Sequence, residues 1–147
     1  MSRLLLSNLE RYSDHGLFLL RLVTGGFLMW GTFDNVVSAE RMQEFVEFLR
    51  QFRFPAPELL APLSVYAQFA CGALLVAGFL TRIAALVMLA NFVVAVTIVH
   101  WGQDFRAQWP ALILGFLSLY FALRGAGRLS LDRRLEGGTV RHYSATG

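Results

Sequence analysis

At 147 residues the chain has room for one domain and not comfortably for two. Apolar residues make up 56% and charged residues only 16%, with a mean hydropathy of +0.52. A soluble domain runs at ~45–50% and ~25%, so an ordinary water-soluble fold lacks its solvent-facing surface here. The net charge of +3 comes with 13 basic residues, all arginine, placed at segment ends rather than on one face, which excludes a nucleic-acid-binding surface. The single cysteine, Cys71, excludes an intrachain disulfide and a Cys-x-x-Cys redox pair, and reads as a buried, inert thiol.

Residues 1–16 form a polar lead-in expected on the cytoplasmic side. Residues 17–37 are apolar and long enough to span a bilayer, with Arg21 and Asp34 near the ends, where charge costs least. A secretory signal peptide is the rival reading, because Val37-Ser38-Ala39 is similar to a cleavage site. The long lead-in and the acidic Asp34 favour a retained span. Residues 38–54 change character. Met42, Phe45, Val46, Leu49 and Phe52 share one helical face, while Glu40, Glu44, Glu47, Arg50 and Arg53 decorate the rest. Ser38 suits the amino-terminal cap, and Pro55 and Pro57 stop the helix. Such a helix between two spans is expected in the membrane interface or folded back on the bundle mouth.

Three further uncharged stretches follow: residues 59–81, 83–103 and 107–123, the last lengthened by a snorkelling Arg124. Glycines after Arg124 end the last helix. Residues 17–135 thus make one membrane domain, and residues 136–147 a polar tail expected to be disordered and cytoplasmic. The expected fold is all-α: a four-transmembrane-helix bundle with an additional amphipathic interfacial helix between the first and second spans. Arginine placement orients it. Arg3, Arg11, Arg82, Arg124, Arg128, Arg133, Arg134 and Arg141 fall on one side, and Arg41, Arg50, Arg53 and Arg106 on the other. The expectation is a bacterial inner-membrane protein with both termini in the cytoplasm.

Inside lipid, small residues bring helices together. Ala111, Gly115, Ser118 and Ala122 form the best small-residue stripe and are the candidate packing face. Polar residues in a span are candidate ligand contacts by default. Arg21, Gly25, Leu28 and Thr32 share one face of the first span, with Asp34, Phe27 and Trp30 pointing almost the opposite way. Ser64, Gln68, Cys71 and Gly72 align on the second. On the third, Asn91 shares a face with Met88 and Ala95, while His100 and Thr97 look away. The candidate ligand-binding set is Arg21, Trp30, Gln68, Asn91 and His100. Each also has a structural reading: hydrogen-bonded glue for Gln68 and Asn91, a snorkel or internal ion pair for Arg21, and an interfacial aromatic belt for His100 beside Trp101.

Three stretches carry a family resemblance: Leu20-Arg21-Leu22 with Gly25 and Gly31; Gln68 to Arg82 with Gly72, Leu75, Gly78 and Thr81; and Gly125-Ala126-Gly127-Arg128-Leu129-Ser130-Leu131-Asp132. In this order, over roughly residues 14–135, the chain resembles the DoxX family of bacterial four-helix membrane proteins. It departs from the family pattern at Asp34, where a lysine is common, at Gln68, where a glutamate is common, and at Ala126, where a proline is frequent. The resemblance implies an inner-membrane subunit associated with redox systems, since relatives are linked to quinone-coupled thiosulfate oxidation and to oxidative-stress complexes. More distant relatives act as assembly factors. It carries no catalytic residues over.

Two functions stay open. One is an accessory subunit of a redox complex touching quinone. The other is a noncatalytic scaffold or assembly factor, working through the lipid bilayer and a protein partner or as a homo-oligomer. A self-sufficient oxidoreductase is disfavoured, because one cysteine cannot hold an iron–sulfur cluster and His100 is the sole histidine in a span. No metal ligands and no covalent cofactor are expected.

Overall fold

The computed structural model describes residues 11–99 and 101–135. The expectations for His100 and for the polar tail over residues 136–147 lie outside the described residues. Five α-helices follow in chain order: α1 (Ser13–Val37), α2 (Ala39–Gln51), α3 (Pro57–Ala77), α4 (Thr81–Val94) and α5 (Phe105–Arg124). A π-helical stretch, Ala95–Val99, extends α4. Residues 131–135 form a last helical turn, and the described residues contain no strand.

Local chemistry sets the boundaries. The Ser38 hydroxyl accepts from the Arg41 amide at 3.3 Å and caps α2. Pro57 opens α3 at a position where its missing N–H costs nothing. Residues 59–81 were expected as one span, but α3 stops at Ala77. Gly78 takes the left-handed conformation (φ 66°) and Phe79 N returns a bond to Leu74 O at 3.0 Å, so the chain turns before Thr81.

Helix α1 packs along α3, α3 on α4, and α4 on α5. The core between them centres on Leu28, Leu75, Ala85, Met88, Phe92 and Phe121. The tightest approach is between α1 and α3 at Gly25 and Gly72. A Cβ on Gly25 would stand 2.5 Å from Gly72 O, and one on Gly72 would stand 2.7 Å from Gly25 O. Helix α2 folds back on the bundle, burying Val46 and Leu49 against Ala61 of α3 and Val99 of the π-helical stretch. Arg50 ties the same helix to α3 through Glu58. That hydrogen bond, helped by the charge of Glu47, holds the Arg50 guanidinium above its ordinary pKa.

The outside is apolar. Trp30 is 81% exposed, and Val23, Leu59, Phe116 and Leu123 are similarly bare. A continuous apolar exterior of this kind marks contact with lipid. Among the described residues, three helices are long and apolar enough to cross a membrane: Ser13–Val37, Pro57–Ala77 and Thr81–Val99. The count of four expected from the sequence is not reached. Arg106, Gln108 and Pro110 occupy the first turns of α5. They leave an apolar run over residues 111–123, ~20 Å long at ~1.5 Å per residue, against a hydrocarbon core of ~30 Å.

Candidate functional site

The helices leave a lateral groove of about 620 Å³ between α2, α3, α4 and α5. Its walls are almost wholly apolar, with Phe45, Phe48 and Phe54 at one end and Val87, Ala90 and Leu114 deeper in. Gln68, Ser64 and Asn91 interrupt them. Ser64 and Gln68 stand one helical turn apart on α3, so their side chains meet. Gln68 Nε2 donates to Ser64 Oγ at 3.1 Å, and Ser64 Oγ donates across to Asn91 Oδ1 of α4 at 2.8 Å. This chain spends one donor of Gln68, the acceptor of Asn91 and the hydroxyl proton of Ser64. The Gln68 carbonyl and the Asn91 amide hydrogens take no part in this chain of bonds, which leaves an acceptor and a donor on two residues that line an apolar groove.

The π-helical stretch forms part of this wall through Ala95 and Val99. Inserting one residue into the α-helical ladder widens the turn and re-aims side chains, and such turns recur at functional sites. Thr97 points its hydroxyl back to Val93 O at 2.8 Å and plays no part in the groove.

Of the residues nominated from sequence, the structure gathers Gln68 and Asn91 and separates Arg21 and Trp30 from them. Trp30 projects from the outer face of α1. Arg21 is buried (1% exposed) near the opposite end of the bundle, where Nη1 donates to Leu75 O at 3.3 Å and Nη2 to Leu129 O at 2.5 Å. It neither snorkels nor meets a carboxylate at ion-pair distance among the described residues, so its role is to staple the closing segment to α1 and α3. The nominated packing stripe on α5 has Ala111 and Ser118 buried and Gly115 facing Phe92, whose Cβ would lie 3.6 Å from an added Cβ. Ser118 satisfies itself on Leu114 O at 2.7 Å. Sequence reasoning missed Ser64 as the bridge and the α2 phenylalanines Phe45 and Phe48 as part of the groove wall. The i, i+4 spacing of Ser64 and Gln68 was the available signal.

At the other end the closing segment forms a clasp. The Asp132 carboxylate accepts from the amides of Leu80 and Thr81 at 2.7 and 3.0 Å, capping α4 from a distance in sequence, while Asp132 N donates to Gly78 O at 2.9 Å. Gly78 must be glycine, since a Cβ there would lie 1.9 Å from Arg21 Nη1. Ser130 Oγ bonds Gly127 O at 2.7 Å and accepts from Arg133 N at 3.2 Å.

The family model for DoxX matches residues 16–101, more than half of the chain. The chain belongs to the DoxX family. The match runs from the first turns of α1 through the π-helical stretch, and so holds the Gln68–Ser64–Asn91 triad of this DoxX protein. A curated relative, "Uncharacterized membrane protein Rv3486" of Mycobacterium tuberculosis (strain ATCC 25618 / H37Rv), is 32% identical over 98 residues, covering 56% of this chain and 59% of that protein. The chain thus spans less than two thirds of that relative's length. No solved structure matches. Among the described residues, no three His, Cys, Asp or Glu side chains gather as metal ligands.

Proposed function

We propose that this DoxX protein is an accessory membrane subunit of a redox complex, and that its lateral groove holds a quinone for that complex. The observation that carries the reading is the Gln68–Ser64–Asn91 triad inside an otherwise apolar groove of about 620 Å³. Small-molecule sites are apolar clefts of ~300–1,000 Å³ with a few placed polar groups. The Asn91 amide hydrogens suit a ring carbonyl, the Gln68 carbonyl suits the hydroxyl of the reduced form, and the groove opens laterally as an isoprenoid tail in lipid requires. The subunit brings no redox centre of its own and acts through a partner. In this reading α5 completes a fourth crossing with Arg124 reaching the interface, α2 lies at the outer interface, and the arginine asymmetry puts both termini on the cytoplasmic side of the inner membrane.

The test is quinone retention. Protein purified in mild detergent should carry quinone into an organic extract. Gln68→Leu and Asn91→Leu should each lower affinity about 3- to 20-fold, the worth of one intramembrane hydrogen bond of ~0.6–1.7 kcal/mol. A second reading, a noncatalytic scaffold, rests on the aromatic ladder of α2, where Phe48 contacts both Phe45 and Phe52 and stays 39% exposed. Quinone-free protein whose groove variants behave as wild type, with partner release on Phe48→Ser, would favour the scaffold and sink the quinone site.

A further inference from the structure

Four arginines line one pocket of about 550 Å³ at the clasp end of the bundle. Arg82 comes from the first turn of α4, Arg124 from the last turn of α5, and Arg128 and Arg133 from the closing segment. Among the described residues, two carboxylates share the pocket with Arg82, Arg124 and Arg128: Asp14 and Asp132. Asp132 is turned toward the Leu80 and Thr81 amides. Asp14 approaches Arg124 and Arg128 at 3.8 Å in each case, within ion-pair reach but too long for a hydrogen bond. Arg82 gives Nη1 to Ala122 O at 2.8 Å. Its Nε and Nη2 lie over Gly125, where the absent side chain makes room: a Cβ would stand 3.3 and 3.4 Å from them. Two elements of the fold therefore hold the guanidinium, and part of its donor fork is left unspent.

The surroundings separate a lipid from a free anion. Leu80 and Leu135 belong to the same pocket and are 43% and 58% exposed, and the bare Leu123 lies in the last turn of α5 just before Arg124. A basic pocket between span ends, edged by apolar side chains, fits an anionic headgroup with its acyl chains still in the bilayer. Guanidinium forks match the phosphate oxygens, and the leucines meet the chains. A free phosphate would use the first half of this arrangement and leave the second wet.

We infer that the pocket binds the phosphate of an anionic phospholipid, of the phosphatidylglycerol or cardiolipin class, from the leaflet at the clasp end. The inference does not depend on what the groove holds. The experiment follows thermal unfolding of the full chain in a neutral detergent, titrated with phosphatidylglycerol, phosphatidylcholine or sodium phosphate, alongside native mass spectrometry of retained lipid. Phosphatidylglycerol should raise the midpoint saturably and remain bound, while phosphatidylcholine and phosphate at equal molarity should not. Removing one arginine should weaken phosphatidylglycerol about fivefold, so Arg124→Gln with Arg128→Gln should weaken it ~25-fold, whereas Arg106→Gln at the start of α5 should leave it unchanged. If the double variant unfolds, Arg128→Gln alone supplies the fivefold arm, because that side chain is 84% exposed. Equal protection by phosphatidylcholine, equal protection by inorganic phosphate, or wild-type affinity in the Arg124 and Arg128 variants would each overturn the assignment.

Discussion

Adding one methyl group at Gly72 should pry α1 from α3. The new Cβ would lie 2.7 Å from Gly25 O, 2.9 Å from Met29 Cγ and 3.2 Å from Leu28 Cβ. The Met29 side chain can swing away, but the Gly25 carbonyl belongs to a helix and moves only with it. Restoring an ordinary contact needs roughly 0.7 Å of separation, and overpacking of this kind costs ~1–3 kcal/mol. Against it stands the better helix propensity of alanine, ~1 kcal/mol. Gly72→Ala should therefore be neutral to ~2 kcal/mol destabilising. Gly25→Ala should be worse, because its Cβ meets backbone at two points, Gly72 O at 2.5 Å and Val76 N at 3.1 Å. Two controls isolate the clash. At Gly26 an added Cβ meets nothing within 4 Å, and at Gly115 it meets only Phe92 Cβ at 3.6 Å. Both alanine variants should gain up to ~1 kcal/mol from propensity alone. Equilibrium unfolding of the four variants in mixed micelles gives the ranking. If Gly25→Ala and Gly72→Ala prove as stable as Gly26→Ala, the α1–α3 contact does not exist as described.

Two further outcomes bear on the clasp. Arg21→Met removes the donor to Leu129 O and Leu75 O, so limited proteolysis should cut the closing segment beyond Leu123 faster, while quinone retention stays at the wild-type level. Asp132→Ala strips the cap from the Leu80 and Thr81 amides and should cost ~1–2 kcal/mol, read as a lower unfolding midpoint. Asp132→Glu, whose longer side chain misplaces both oxygens, should recover only part of the loss.

The helices were legible because their signals are local. Apolar runs, the Ser38 cap and the proline at Pro57, which opens α3, act within a few residues, and the structure places α1 to α5 near the expected positions. The shortfall in α5 was legible too, in Arg106, Gln108 and Pro110, but a count of uncharged residues does not weigh how these dilute a span. What the sequence hides is which faces meet. The stripe on α5 is spaced like a packing motif, yet the closest approach uses Gly25 and Gly72, since contact depends on two helices presenting small residues at the same height. The partners of Arg21 were hidden for a related reason. A charge in a span suggests a ligand or a counter-ion, and its actual partners are backbone carbonyls, one of them more than a hundred positions away, that no side-chain pattern announces. Gln68 and Asn91 were nominated separately, and only the fold shows Ser64 joining them.

The neutrality of the groove has a consequence for the departure at Gln68. Its polar groups are two amides and a hydroxyl, and the nearest thing to a spare cation in α1, Arg21, is committed at the far end. A carboxylate at this position would sit in an apolar wall without a cationic partner and would be costly in its charged form. It would also turn an acceptor-rich face toward the carbonyls of a quinone. The protonated acid, by contrast, matches an amide in shape and still offers a donor. Gln68→Glu should therefore hold quinone about as well as wild type at low pH and lose it progressively as pH rises and the new side chain ionises, while wild-type retention stays flat over the same range. Extraction of quinone from the variant across pH 5 to 9 measures this. A variant whose retention is independent of pH would place the side chain of residue 68 away from the bound ring, and the groove assignment would fall with it.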